Sequence, residues 1–161
     1  MVRLSAASVK RGQKAEEAFK QWLRRTKLGY MVVDQTPFSV PIGPERLKRP
    51  DFLVGILSVG MIAIDAKGRN LVDGHAIIEV SEYEGFSYFE RYFGTPVWYA
   101  WYPNRDHLLC YLFRNSDLRG EYRQKFGKRT VYAVPLEVMT PCKPFDEHFD
   151  YALFVASRSA R

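Results

Sequence analysis

The sequence predicts an α/β protein in which a mixed central β-sheet is flanked by helices. Three observations lead to this class: an amphipathic segment near the N-terminus, two apolar runs separated by a short Ser/Gly turn, and an aromatic run after a second helical segment. The elements follow the order helix, strand, hairpin, helix, strand, with extra strands towards the C-terminus. This order is typical of an α-β-β-β-α-β core whose helices cover a sheet. At this length we predict a single domain over residues 1–161.

The first helix is predicted over residues 8–28, with Ser8 as its N-cap and Gly29 as the residue that stops it. Apolar side chains recur there every three or four residues and form one stripe. They are Ala15, Ala18, Phe19, Trp22 and Leu23. With about 100° of rotation per residue, Glu16 lies at the edge of this stripe, whereas Glu17 points towards solvent. Glu16 is therefore the acid that can lie over a sheet packed against the helix.

Residues 30–34 are predicted to form a strand, which a surface loop then connects to Asp51. Prolines and basic residues occupy this loop: Pro37, Pro41, Pro44, Arg46, Lys48, Arg49 and Pro50. The loop is too short to separate two domains.

Residues 51–67 are predicted to form a β-hairpin, because two apolar runs flank a short turn-like segment. A turn centred on Ser58 places Asp51 opposite Asp65. Side chains alternate along a strand, so Lys67 shares a face with Asp65 and Ala66 points away. Two carboxylates and one ammonium group therefore meet at the open end of the hairpin.

A second helix is predicted over residues 81–93, with Ser81 and Glu84 as a capping box and Gly94 at its end. Residues 114–130 are rich in arginine and lysine and are predicted to form a basic loop or short helix. Further strands are predicted over residues 96–102, 108–113 and 131–139.

The formal net charge of +6 favours an anionic partner, with nucleic acid ahead of an anionic membrane surface. Cys110 and Cys142 match no disulfide framework or metal-binding motif, and we expect two reduced thiols. The N-terminus lacks the apolar region of a signal peptide, and no apolar run approaches the length of a membrane span. We therefore expect a cytoplasmic protein with no membrane partner.

The hairpin cluster predicts a metal-dependent hydrolysis. Two neighbouring carboxylates repel each other unless a cation lies between them or one of them takes a proton. The side chains of Asp51 and Asp65, with the backbone carbonyl of Ala66, suit Mg²⁺, for which Mn²⁺ can substitute. Such an ion polarises a phosphoryl oxygen and activates a bound water. Lys67 could orient that water, accept its proton, or stabilise charge on the phosphate.

The same residues resemble a known family. Pro50-Asp51 followed by Asp65-Ala66-Lys67 resembles the signature of the PD-(D/E)xK nuclease superfamily. The pattern Gly12-x-x-x-Glu16 resembles the glutamate-bearing helix of archaeal Holliday junction resolvases. The segment 89–97 is similar to the helix-to-strand segment that follows the catalytic lysine in those enzymes. The resemblance covers a core of residues 8–102, and the elaboration over residues 103–161 lies outside it.

The resemblance implies a restriction-endonuclease-like fold, DNA as substrate and Mg²⁺ as cofactor, in an enzyme of DNA repair or recombination. Asp51 and Asp65 would be metal ligands, and Lys67 would be the catalytic lysine. Glu16 would help to position the metal, directly or through water. An endonuclease is expected ahead of an exonuclease. The basic residues expected to hold DNA are Arg11, Lys14, Arg49, Arg69, Arg114, Arg119, Arg123, Lys125, Lys128 and Arg129.

Alternatives stay open from the residues alone. The fold could carry an idle site and only bind DNA or protein, or the enzyme could process RNA. Glu79, Glu82 and Glu84 could add a metal ligand or could serve in capping and solvation. The aromatic strand could stack on bases or fill the core. The basic segment after residue 113 could follow a phosphate backbone or simply face solvent, and the extra strands and tyrosines are compatible with a homodimer.

Overall fold

The computed structural model describes residues 5–36 and 47–159. Its helices are α1 (Ala6–Arg25), α2 (Val80–Phe93) and α3 (Phe149–Ser159). Its strands are β1 (Tyr30–Val32), β2 (Phe52–Ile56), β3 (Gly60–Gly68), β4 (His75–Glu79), β5 (Val97–Tyr102), β6 (Cys110–Arg114), β7 (Arg123–Phe126), β8 (Arg129–Pro135) and β9 (Thr140–Cys142). Most of the predicted proline-rich loop, with Pro37, Pro41, Pro44 and Arg46, lies outside the described residues.

The main sheet has the strand order β1-β2-β3-β5-β6-β9. Strands β3 and β5 run parallel, whereas the other neighbours run antiparallel, so the sheet is mixed as predicted. The predicted α-β-β-β-α-β order is present with one addition. Strand β4 enters between β3 and α2 and forms a second, antiparallel sheet of order β4-β8-β7.

Helices α1 and α3 pack on one face of the main sheet. The aromatic rings of Phe19 and Trp22 on α1 contact Phe149 on α3, and Phe19 also contacts Phe52 of β2. All four side chains are buried. The indole N–H of Trp22 donates a hydrogen bond to the carbonyl of Glu147 at 2.7 Å, so its polar group is satisfied. These contacts fix the rotation of α1 about its axis and thereby decide which of its residues face the hairpin.

Helix α2 and the second sheet cover the opposite face. Phe86 packs edge-on against Tyr99 of β5, and the hydroxyl of Tyr99 bonds the side-chain oxygen of buried Asn115 at 3.0 Å. The amide nitrogen of Asn115 in turn donates to the carbonyl of Tyr83 and to the hydroxyl of Ser87. Strand β5 is buried along its whole length. Its aromatic residues therefore fill the core and have no face free for stacking on bases.

The hairpin has the predicted register over its paired residues. Phe52 pairs with Ile64, and Ile56 pairs with Gly60. Ser58 occupies the turn with φ of 63°, in the left-handed region that a tight hairpin turn requires. Because a slip of one residue would turn every side chain to the other face, this register keeps the acidic cluster together.

The helix ends differ from the prediction. Helix α1 begins at Ala6, and its N-cap is Ser5, whose hydroxyl accepts a hydrogen bond from the N–H of Ser8. It ends at Arg25 because Lys27, rather than Gly29, takes the left-handed conformation beyond it.

Helix α2 begins at Val80, directly after β4, with no side chain capping its first turn. The predicted capping box of Ser81 and Glu84 is therefore wrong. Gly94 ends the helix as predicted, with φ of 61° and its N–H bonded to the carbonyl of Glu90.

Several strands lie where loops or no element were predicted, namely β4, β7 and β9. All four residues of β7 are exposed, so the alternation that reveals a half-buried strand is missing. Cys110 lies opposite Cys142 across β6 and β9, and both are buried, free thiols as expected. None of the described helices is both long enough and apolar enough to cross a membrane.

Candidate active site

Asp51 lies at the open end of the hairpin, immediately before β2. Regular pairing ends at Phe52 and Ile64, and Asp51 leaves the position opposite Asp65 that the register predicts. Its backbone N–H donates to the carbonyl of Ile64 at 2.9 Å. Its side chain continues the ladder instead, because Oδ2 accepts a hydrogen bond from the N–H of Ala66 at 2.8 Å. The carboxylate of Asp51 is thereby anchored to the backbone of β3.

Lys67 connects two carboxylates. Its Nζ lies 2.7 Å from Oδ2 of Asp65 and 3.1 Å from Oε1 of Glu82, while Oε2 of Glu82 lies 3.0 Å from Nζ of Lys48. The Lys67 contacts are therefore ion pairs held by charge attraction. They form a continuous chain from Asp65 through Lys67 and Glu82 to Lys48.

This chain of charges keeps Lys67 protonated. Burial alone would lower the pKa of Lys67, but the carboxylates of Asp65 and Glu82 raise it above its usual range. Burial alone would likewise raise the pKa of Glu82, but the ammonium groups of Lys67 and Lys48 lower it to about 2. At neutral pH the lysine is a cation and the glutamate an anion, each stabilising the other's charge.

Glu16 reaches the site from α1. It is partly exposed at the edge of the buried stripe, whereas Glu17 faces solvent and pairs with Lys20 and Gln21, as the helical pattern predicts. Gly68 at the end of β3 lets the helix come this close. A Cβ at that position would stand 2.6 Å from the carbonyl oxygen of Arg11.

The acids of the cluster repel one another. Burial, together with the charges of Asp65 and Glu16, raises the pKa of Asp51 to about 8, although the N–H of Ala66 acts in the opposite direction. Burial and the charge of Asp65 also raise the pKa of Glu16, which Lys67 opposes. Asp51 is thus the carboxyl that keeps a proton at neutral pH unless another cation takes the proton's place.

The donor chemistry of the cluster fits a hard divalent cation. Carboxylate and carbonyl oxygens are the ligands that Mg²⁺ prefers, and the raised pKa of Asp51 marks a place where positive charge is favoured. Among the described residues, no three His, Cys, Asp or Glu side chains stand close enough to hold a metal by themselves. Mg²⁺ is typically held by one or two carboxylates, with waters and substrate phosphate completing its shell.

A cleft of about 340 Å³ opens onto Asp51, Ala66 and Lys67, whereas Asp65 is buried and does not line it. One wall is the flank of α1 that carries Gly12 and Glu16, and the other contains Asp51, Lys67 and Arg69. The cleft therefore lies between the helix and the open end of the hairpin. Of the basic residues predicted to hold DNA, Arg69 lies in this cleft.

The other predicted DNA-contacting residues fall into three groups. Some are engaged within the protein: Arg49 bonds the carbonyls of residues 34–36, Arg114 pairs with Asp117, and Arg129 pairs with Glu79. Others face solvent on or beside the second sheet. These are Arg119, which lies 4.0 Å from Glu121, and Arg123, Lys125 and Lys128. Arg11 and Lys14 line a separate pocket across α1 from the cleft.

Lys48 and Glu82 belong to the site through ion pairs that the sequence analysis did not predict. The prediction considered Glu82 as a metal ligand or a cap, whereas its side chain contacts Lys67 and Lys48 and is 10% exposed. Lys48 is fixed from its own side, since its backbone N–H bonds the carbonyl of Gly85 and its Nζ lies over the ring of Phe86. Strand β4 was not predicted from the sequence. It returns the chain towards β3, so that the first turn of α2 faces Lys67.

Comparisons with known proteins support the fold. No protein-family model matches the sequence, and no curated protein gives a significant match. Among solved structures, the chain is similar to Hjc, a Holliday junction resolvase from the archaeal hyperthermophile Archaeoglobus fulgidus. The match has a TM-score of 0.51 and 15% sequence identity, and it covers 92% of this chain and 99% of that chain. At this level of identity the two proteins share a fold, which confirms the predicted class.

Proposed function

We propose that this protein is a Mg²⁺-dependent nuclease that cleaves DNA phosphodiester bonds, as an endonuclease with a PD-(D/E)xK-type site. The observation that carries the proposal is that Asp51, Lys67 and Glu16 line one open cleft, while buried Asp65 lies against Lys67. The fold supports it, because Hjc is described as a Holliday junction resolvase, an enzyme that acts on DNA. The net charge of +6 suits a polyanionic substrate.

In this proposal Asp51 and Asp65 hold the cation, Glu16 helps to position it, and the carbonyl of Ala66 is a further candidate ligand. When bound, Mg²⁺ or Mn²⁺ supplies Lewis-acid polarisation of a phosphoryl oxygen and lowers the pKa of a bound water. The protein's own part is to fix the ligands in advance. The hydrogen bond from Ala66 to Asp51 and the ion pair of Asp65 with Lys67 do this.

Lys67 acts as a fixed positive charge. Three roles were open from the sequence: orienting water, accepting a proton, or stabilising the charge that develops on phosphate. A lysine paired with both Asp65 and Glu82 keeps its proton, which makes it a poor base. It is suited to donate hydrogen bonds to a phosphate oxygen as negative charge grows there.

Cleavage assays test this proposal. Wild type and Lys67→Ala are compared on linear duplex, branched DNA, single-stranded DNA and RNA, with Mg²⁺, with Mn²⁺ and with EDTA. Lys143→Ala, an exposed lysine outside the cleft, is the matched control. We expect the wild type to cleave DNA and EDTA to abolish the cleavage. Lys67→Ala should reduce the rate by a factor of about 10²–10³, as the loss of an electrostatic stabiliser does. Lys143→Ala should leave the rate unchanged.

Each alternative has a distinct outcome in these assays. Cleavage that survives both EDTA and Lys67→Ala overturns the mechanism. Binding of every DNA without cleavage favours a fold that only binds, and cleavage of RNA alone favours RNA processing. A homodimer, with which the sequence is compatible, is a separate question, and sedimentation of the wild type measures the oligomeric state.

A further inference from the structure

A basic pocket of about 250 Å³ lies on the flank of α1 that faces away from the cleft. It is lined by Ala7, Lys10, Arg11, Lys14, Arg105 and His107. The first four residues come from α1, and the last two come from the loop between β5 and β6. The function proposed above makes no use of this pocket, although Arg11 and Lys14 are among the residues predicted to contact DNA.

Arg11 lines the pocket and is held in place by two hydrogen bonds. Its Nη2 donates to the side-chain oxygen of Asn70 and to the carbonyl of Pro103, both at 2.7 Å. Both acceptors are neutral, so the positive charge of the guanidinium is not cancelled by them. These bonds also tie the loop after β3 and the loop after β5 to the helix, which gives the pocket a rigid frame.

The positive groups of the pocket repel one another. Burial and the charge of Arg105 lower the pKa of Arg11. Burial also lowers the pKa of His107; the neighbouring Asp106 opposes this, while Lys14 and Arg11 act in the same direction as burial. Like charges gathered around one cavity are relieved by an anion, and arginine and lysine together are the groups that bind phosphate.

The pocket and the cleft lie at the same end of the sheet, one on each side of a single helix. Strand β5 ends at Tyr102 opposite Gly68, so the loop carrying Arg105 emerges beside the cleft. Gly12 and Glu16 face the cleft, whereas Lys10 and Lys14 face the pocket. A helix with its side chains is about 10–12 Å thick. This matches the width of the DNA major groove, about 12 Å.

We infer that the basic pocket binds a phosphate group of a second nucleic-acid strand while the strand to be cut occupies the cleft, so that α1 lies between the two backbones. The inference rests on the proposed function for the identity of the ligand. The second strand is either the complement in one duplex or a strand of another arm in a branched substrate. Both present the same phosphate chemistry to Lys10, Arg11, Lys14 and Arg105.

Binding measured in EDTA tests the inference separately from cleavage. Fluorescence anisotropy is followed against salt concentration for a single strand, its duplex and a four-way junction, with the double variant Lys14→Ala/Arg105→Ala. The control is Arg91→Ala/Arg158→Ala, which removes the same charge from exposed sites. Arg91 precedes β5, and Arg158 adjoins Ser159 near Arg114, so both stand at the far end of the sheet.

For the pocket variant we expect weaker binding of duplex and junction, with a salt slope smaller by about 2, one for each phosphate-contacting cation removed. Single-strand binding should match wild type, as should the control variant on every probe. Loss on the junction but not the duplex also supports the inference and places the second strand in another arm. Equal loss on single strand and duplex, or no loss anywhere, overturns it. A protein that shows the pocket effect yet cuts no DNA refutes the proposed nuclease and leaves the pocket intact.

Discussion

Replacing Gly68 by alanine is expected to push α1 away from β3. The new Cβ would lie 2.6 Å from the carbonyl oxygen of Arg11 and 3.1 Å from the Cβ of Ala15. The first neighbour is helix backbone, which cannot rotate away as a long side chain can. The helix must therefore move by several tenths of an ångström before ordinary van der Waals contact is restored.

The cost of this movement can be bounded from both sides. Overpacking a well-packed site costs about 1–3 kcal/mol, while alanine is favoured over glycine within a strand by about 0.5–1 kcal/mol. Taking the midpoint of each range, the net loss in the free energy of unfolding is about 1 kcal/mol. For a chain of this size each kcal/mol lowers the melting temperature by about 2–4 °C.

Urea denaturation measures the loss, and Gly12→Ala is the matched control. Gly12 is also a glycine at the contact between α1 and the cleft, but a Cβ there meets nothing within 4 Å. Alanine in a helix interior is favoured over glycine by about 1 kcal/mol, so this variant should be more stable than wild type. We therefore expect the free energy of unfolding to fall in Gly68→Ala and to rise in Gly12→Ala. If Gly68→Ala is as stable as wild type, the close approach of helix and strand does not constrain residue 68.

Three further substitutions test the charges and the core. Glu82→Gln should lower the free energy of unfolding by about 3 kcal/mol, since it removes one partner of a buried ion pair. A double-mutant cycle with Lys67→Met checks this. If the two losses of free energy are simply additive, the pairing is refuted. In EDTA, wild type should lose stability as pH rises from the ordinary pKa of Asp51, 3.8, to about 8, because the folded protein keeps a proton that the unfolded chain has released. Asp51→Asn should flatten this trend in thermal denaturation, and parallel curves would contradict the assignment. Asn115→Ala should lower the free energy of unfolding by about 1–3 kcal/mol, because it leaves the hydroxyl of Tyr99 unpaired in the core. Asn104→Ala, at an exposed asparagine, is the control. Equal melting temperatures for the two variants would argue against the network.

The hairpin was predictable because its information is local. Two apolar runs and the turn at Ser58 define the pairing without reference to the rest of the chain. The position of Glu16 was predictable for a similar reason, since helical periodicity fixes which acid borders the buried face. What local pattern could not show is the departure of Asp51 from the ladder, where a side-chain oxygen replaces a backbone partner.

Glu82 illustrates the limit more clearly. Its place beside Lys67 depends on β4, which pairs with β8 across a separation in sequence that no short motif reveals. Strand β7 is exposed on both faces and so lacks the period-two signal. The start of α1 was predicted three residues too late in the choice of N-cap, because Ser5 and Ser8 are equally able to cap a helix and lie close together in the sequence.

Three of the four outer strands that the structure describes, β1, β9 and β7, affect how copies of this protein could associate. Strand β1 has only three residues, β9 has Pro141 at its centre, and β7 carries Arg123 and Lys125. Short length, proline and lysine are the devices by which proteins keep unpaired strands from recruiting other chains. Joining two copies through β1, β9 or β7 is therefore disfavoured, and a dimer that uses these edges has to be built from side-chain surfaces. The same protection should limit fibrous aggregation when the protein is concentrated.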